Sequence, residues 1–126
     1  RGAQTFLTYC APRPLQFGGA HALAEGDAWL ESTRRLYAVA SRRAAEALRL
    51  PPPEGGTFLF FDARPLFRDG EDIHGFLARC LDAGVLLTPG AASGRDFESW
   101  VRLCYTAVAP GELDDALERL AKVVRE

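Results

Sequence analysis

Arg102 stands in the run FESWVRLCYT, residues 97 to 106, between Val101 and Leu103 in a stretch that otherwise has the composition of a buried strand. A guanidinium stays charged at every physiological pH, and burying it alone is so costly that it needs a carboxylate or phosphate within reach. Strand alternation puts Arg102, Cys104 and Thr106 on one face and Val101, Leu103, Tyr105 and Ala107 on the other. The second face is core. The first is small and polar, so its arginine can point into a cleft beyond the sheet. Two kinds of partner fit that position: an internal acid such as Asp62, giving a structural ion pair, or an external carboxylate or phosphate. The pattern of residues leaves these two level.

Other residues with chemical potential carry less. His21 and His74 have no Cys or carboxylate at metal-ligand spacing, so solvated or packed imidazoles and no metal site are expected. Cys10, Cys80 and Cys104 are odd in number, far apart and set among apolar neighbours, which excludes a disulfide framework and points to a reducing, cytoplasmic setting. Cys104 has no histidine nearby in sequence and is expected to be an inert buried thiol. Lys122, the one lysine of the chain, falls off the apolar stripe of its helix and should face solvent rather than form a Schiff base. The arginine pairs at 34/35 and 42/43 are interleaved with Glu31 and Glu46 and lack stacking aromatics, as on a solvated helix face. PGAASG, residues 89 to 94, follows a strand but does not lead into a helix, so it lacks the context of a phosphate cradle and reads as a tight loop beside a site.

The elements that position these residues follow from periodicity. Pro12 and Pro14 suit the entry of a short helix through Gly18 and Gly19, a pair that lowers helix propensity and implies close packing against it. Asp27 is the expected N-cap of a helix of about 22 residues with Leu30, Tyr37, Ala40, Ala44, Ala47 and Leu48 as its apolar stripe, ended by Pro51-Pro52-Pro53. Helices of that length often link two lobes. TFLFFDA then predicts a strand, and EDIHGFLARCLDAG a helix with Ile73, Phe76, Leu77, Cys80 and Leu81 inward and Gly84 as terminator. VLLTPG and WVRLCYTA predict two more strands, and GELDDALERLAKVVRE a last helix facing inward through Leu113, Leu117, Leu120 and Val124. The order from residue 56 predicts an α+β fold: a small, partly antiparallel sheet of about three strands covered by helices, preceded by a long connecting helix.

Composition agrees with a globular domain. The chain has 126 residues, 48% of them hydrophobic and 25% charged, with a net charge of −2, which argues against nucleic-acid phosphates as the main partner. No apolar run approaches the roughly 18 residues that span a bilayer. The fifteen basic residues are 14 Arg and one Lys, and there is no Met; a chain starting at Arg1 is read as a fragment or processed piece.

In order, GGTFLFFDARPL, FLARCLDAGVLLTPGAASG and WVRLCYTAVAPGELDDALERL resemble the C-terminal part of the class I/II aminotransferases, fold-type I enzymes that use pyridoxal phosphate. TFLTYCAPRPLQFGGAHAL and the long helix look like the family's segment after its cofactor lysine, so the resemblance covers nearly the whole chain. It implies three parts: 1-25 as the end of the large-domain segment, 26-50 as the connecting helix, and 51-126 as the small domain. It implies too that Arg102 binds the α-carboxylate of an amino-acid or keto-acid substrate, and that Phe58 lines the active-site cleft. Where family members commonly carry Phe-Gly, this chain has Ser93-Gly94. The family's cofactor lysine, pyridine-nitrogen aspartate and phosphate-cup residues have no counterpart in the sequence, which implies no transamination by this polypeptide alone, a missing N-terminal large domain as its partner and a homodimeric parent enzyme. A carbon–sulfur lyase, a regulator with an aminotransferase-like sensor domain and a stand-alone α+β binding domain are the alternatives, separable by what is encoded upstream.

Overall fold

Pro12 and Pro14 open the first helix, α1 (Arg13–Glu25), where a missing amide proton costs no helical hydrogen bond. The structure, a computed structural model, describes residues 10–125. Two units divide the chain, Arg1–Arg35 and Leu36–Glu126. In the first, α1 has no buried residue, and the Arg13 guanidinium lies over the Phe17 ring. No described atom comes within 4 Å of a Cβ placed on Gly18 or Gly19, so the close packing expected at that pair is absent among the described residues.

Helix α2 (Asp27–Leu48) has the predicted length of 22 residues. Asp27 is its first helical residue rather than its cap, a shift of one position that leaves the carboxylate at the positive end of the helix dipole. Within the first unit, Glu31 pairs with Arg35 at 2.9 Å and with Arg34 at 3.4 Å, as a solvated helix face would. The predicted stripe is buried only towards its end, through Ala44 and Leu48, while Leu30 is exposed; Ala45, outside the stripe, is buried too. Arg43 departs from the solvated reading: its Nη1 donates to the Asp114 carboxylate at 2.7 Å, although both side chains stay half-exposed.

The second unit carries the sheet. Strands β1 (Phe58–Asp62), β2 (Thr88–Pro89) and β3 (Trp100–Cys104) form an antiparallel sheet of order β1-β3-β2. With helices α3 (Ile73–Asp82) and α4 (Pro110–Val123) it makes the expected α+β layer. Leu59, Phe61, Val101 and Leu103 from the sheet, Phe76 and Cys80 from α3, and Leu113, Leu117 and Leu120 from α4 share one hydrophobic core. Leu81, expected inward, is exposed. Ala107 is exposed as well, because the chain leaves the strand after Cys104.

The second strand is much shorter than VLLTPG suggested, and the cause is local. Gly84 takes a left-handed φ of 74° to end α3, which lets the Gly84 amide donate to the Leu81 carbonyl and the Val85 amide to that of Cys80. Val85 therefore spends its donor on the helix cap. Pro89 has no amide to give, and the ladder is confined to Thr88 and Pro89.

One ion pair stands out by its enclosure. Arg79 donates through Nε to Glu71 Oε1 at 2.8 Å and through Nη2 to Oε2 at 2.7 Å, with both side chains largely buried. The hydrogen bonds from Arg79 hold the Glu71 carboxyl down at about 2. A depressed carboxyl favours the folded state above the unfolded pKa, near 4.5, and that contribution is lost as pH falls towards 2. Urea midpoints measured from pH 6 to pH 2.5 are expected to fall steeply below about pH 4.5, and less steeply in Glu71→Gln.

Candidate functional site

The face of the sheet away from the core is set by the register of three strands. Arg102 lies opposite Phe60 on β1 and Thr88 on β2, and Cys104 lies opposite Phe58. Alternation then brings Phe58, Phe60, Thr88, Trp100, Arg102 and Cys104 to the same face. Arg102 is exposed there, on the face the alternation assigns it. Its Nη2 donates a long hydrogen bond to Thr88 Oγ1 at 3.5 Å, and its guanidinium carbon lies 5.4 Å from the centroid of the Phe58 ring.

Asp62, the internal acid within range by sequence, is engaged elsewhere. It pairs in register with Trp100, and its carboxylate accepts from Arg64 Nε at 2.7 Å, the Arg64 amide at 3.0 Å and Ser99 Oγ at 3.1 Å. Hydrogen bonding from the Arg64 side chain keeps its carboxyl below the usual range. Arg102 forms no ion pair among the described residues.

Beside the arginine, Phe60, Phe97 and Trp100 form a three-ring cluster with centroids 5.0, 5.1 and 5.4 Å apart. None of these rings nor Thr88 stands out in sequence as a site residue; the same alternation applied to β1 and β2 together with β3 would have collected Phe60, Trp100 and Thr88. The PGAASG loop forms a 3₁₀ turn over Gly90–Ser93, is followed by a second over Arg95–Phe97, and packs against this cluster at Gly90. A Cβ on Gly90 would stand 2.5 Å from the Phe97 carbonyl oxygen and 2.6 Å from Trp100 Cβ. Gly90→Ala must therefore move backbone or Trp100, and a loss of about 1–3 kcal/mol in chemical denaturation is expected.

The remaining candidates separate cleanly. Cys104 is exposed, not buried, because it shares the Arg102 face; its Sγ lies 3.5 Å from Thr106 Oγ1. Cys80 is the thiol that is buried, and burial pushes it up to about 11. His21 and His74 are exposed, as is Lys122 on α4. Among the described residues no group of His, Cys, Asp and Glu could hold a metal ion, and no helix is long and apolar enough to cross a membrane. A cavity of about 510 Å³ opens beside Arg102, bordered by Thr88 and Cys104 from the sheet region and by Ala116 and Arg119 from α4. The arrangement offers the Arg102 guanidinium, with donors to spare, beside the Phe58 ring. Such a group is suited to gripping a small carboxylate.

Comparison with known proteins finds aminotransferases. The chain matches no family model. It is 27% identical over 130 aligned residues to aromatic-amino-acid aminotransferase 2 of Thermococcus litoralis, covering 98% of itself and 33% of that protein. The transaminase OxyQ of Streptomyces rimosus, which acts on 4-dedimethylamino-4-oxo-anhydrotetracycline by its name, is 34% identical over 104 residues, or 79% of this chain and 27% of its own length. In structure, the aromatic aminotransferase of Pyrococcus horikoshii superposes with a TM-score of 0.79 at 28% identity, over 98% of this chain and 34% of the other. The chain thus spans a third or less of the length of the curated relatives it matches.

Proposed function

This chain corresponds to the C-terminal region of the fold-type I, pyridoxal-phosphate-dependent aminotransferases, and we propose that within such an enzyme it supplies the arginine, Arg102, that holds the substrate's α-carboxylate. The observation that carries this reading is the state of Arg102: exposed on the non-core face of the sheet, touching Thr88 and Phe58, and without a carboxylate among the described residues. Two parallel N–H···O bonds to a carboxylate would fix both the position and the orientation of an amino or keto acid, which is what a group-transfer site requires of its substrate. Phe58 lines the same cleft.

Pyridoxal phosphate, when bound in such an enzyme, supplies the electron sink that lets the amino group pass from an amino acid to a 2-keto acid. The residues described here do not fit the cofactor itself. The one lysine, Lys122, is exposed on α4, and the glycine loop at Gly90 has its inner space filled by Phe97 and Trp100. The cofactor is accordingly assigned to a large domain outside this chain, with the parent enzyme a homodimer and the isolated chain inactive.

The test is amino-group transfer in the complete protein. Loaded with pyridoxal phosphate and given a ¹⁵N-labelled amino acid and an unlabelled 2-keto acid, it is expected to move the label onto the keto acid, while the isolated chain does not. Release of the label as ammonium would mark a lyase, and no turnover of any amino acid would favour a non-catalytic binding domain.

A further inference from the structure

We propose that Phe58 is a positioning residue for Arg102, its ring serving as the shelf that holds the guanidinium in place while leaving its donors for the carboxylate. The inference rests on the reading of Arg102 given above and extends it to what keeps that side chain ready. An arginine meant to bind an external anion cannot be held by an internal carboxylate, because that partner would consume the same donors and cancel the same charge. An aromatic face attracts the cation and takes no N–H. Here the guanidinium carbon lies over the Phe58 ring at 5.4 Å, and Thr88 accepts a single long hydrogen bond.

The choice of Phe58 over its neighbour follows from packing. Phe60 is the residue directly across from Arg102, but its ring is committed to Phe97 and Trp100. Phe58 lies diagonally, opposite Cys104, and remains 43% exposed, so core burial does not account for where its ring sits. Its contact with Arg102 does.

The test varies the ring's electrons while keeping its shape. In the complete protein, Phe58 is replaced by 4-fluoro- and then 3,4,5-trifluorophenylalanine, and the dissociation constant of butyrate, a non-reacting monocarboxylate, is measured by titration alongside KM for an amino acid. Each fluorine weakens the ring's negative face, so butyrate binding is expected to weaken stepwise, reaching about two- to five-fold with three fluorines, and KM is expected to rise with it more than kcat falls. In an Arg102→Gln background the fluorines should have no effect. A flat response across the series, or an equal response in both backgrounds, overturns the shelf and leaves Phe58 as lining alone. If Arg102→Gln by itself leaves butyrate binding unchanged, the carboxylate reading of Arg102 fails first, and the shelf fails with it.

Discussion

Arg102→Ala in the complete enzyme is expected to lower kcat/KM for an amino acid by roughly 30- to several thousand-fold, mostly through KM, while the unfolding midpoint barely moves. The first half follows from what the residue would bond. Truncating one partner of a hydrogen-bonded charge pair in a closed site costs about 2–5 kcal/mol, and each 1.4 kcal/mol is a factor of ten. The second half follows from what Arg102 touches in the fold, which is one long hydrogen bond to Thr88 and one ring contact with Phe58 on an exposed face. Substitutions at such positions change stability by about 0.5 kcal/mol or less. Arg102→Lys should recover part of the loss, since an ammonium keeps the charge but not the two-pronged geometry. A substrate analogue lacking the carboxylate isolates the contact: the variant and the parent should then process it with similar kcat/KM. A variant destabilised by about 3–5 kcal/mol would instead mean that Arg102 is half of a buried structural pair.

Periodicity alone brought Arg102 out of the core, and it did so because strand alternation depends on nothing outside the strand. The same rule placed Val101, Leu103 and Tyr105 inward, where they are buried. It holds for Cys104 as well, which is exposed beside Arg102; the buried thiol expected from its apolar sequence neighbours conflicts with the face alternation assigns it. What the sequence could not show were consequences of pairing between distant segments. Whether Asp62 meets Arg102 depends on a register that puts Asp62 against Trp100, and on Arg64 having already claimed the carboxylate. The length of β2 depends on how α3 ends, since the Val85 amide is taken by the Cys80 carbonyl. The helix face of Arg43 alone predicts a solvated side chain, yet its partner Asp114 lies 71 positions away. Local pattern gives faces, and long-range partners decide what each face meets.

The largest effect on stability is expected not at the site but at Arg79. Its guanidinium binds both oxygens of Glu71 and donates to the carbonyls of Leu66 and Val123, while lying over the Phe76 ring at 5.5 Å. One side chain thus ties α3 to the segment after β1 and to the C-terminal end of α4, where carbonyls without helical partners carry the negative end of the dipole. Arg79→Ala strips Glu71 of its paired guanidinium in a largely buried position, leaving it the Arg68 amide, and leaves both carbonyls to find water. A loss of about 3–5 kcal/mol is expected in urea denaturation at pH 7, a large share of the 5–15 kcal/mol typical of a whole domain. The pH dependence should also weaken. With Arg79 present, the depressed Glu71 carboxyl makes acid destabilising; without it, burial opposes the charged form while the Arg68 amide and charge still favour it, so less stability is lost on protonation. The stability difference between the parent and Arg79→Ala is therefore expected to be largest near neutrality and to shrink as pH falls from about 4.5 towards 2. A difference that stayed constant across that range would locate the effect in Arg79's packing on Phe76 and its carbonyl bonds, and not in the ion pair.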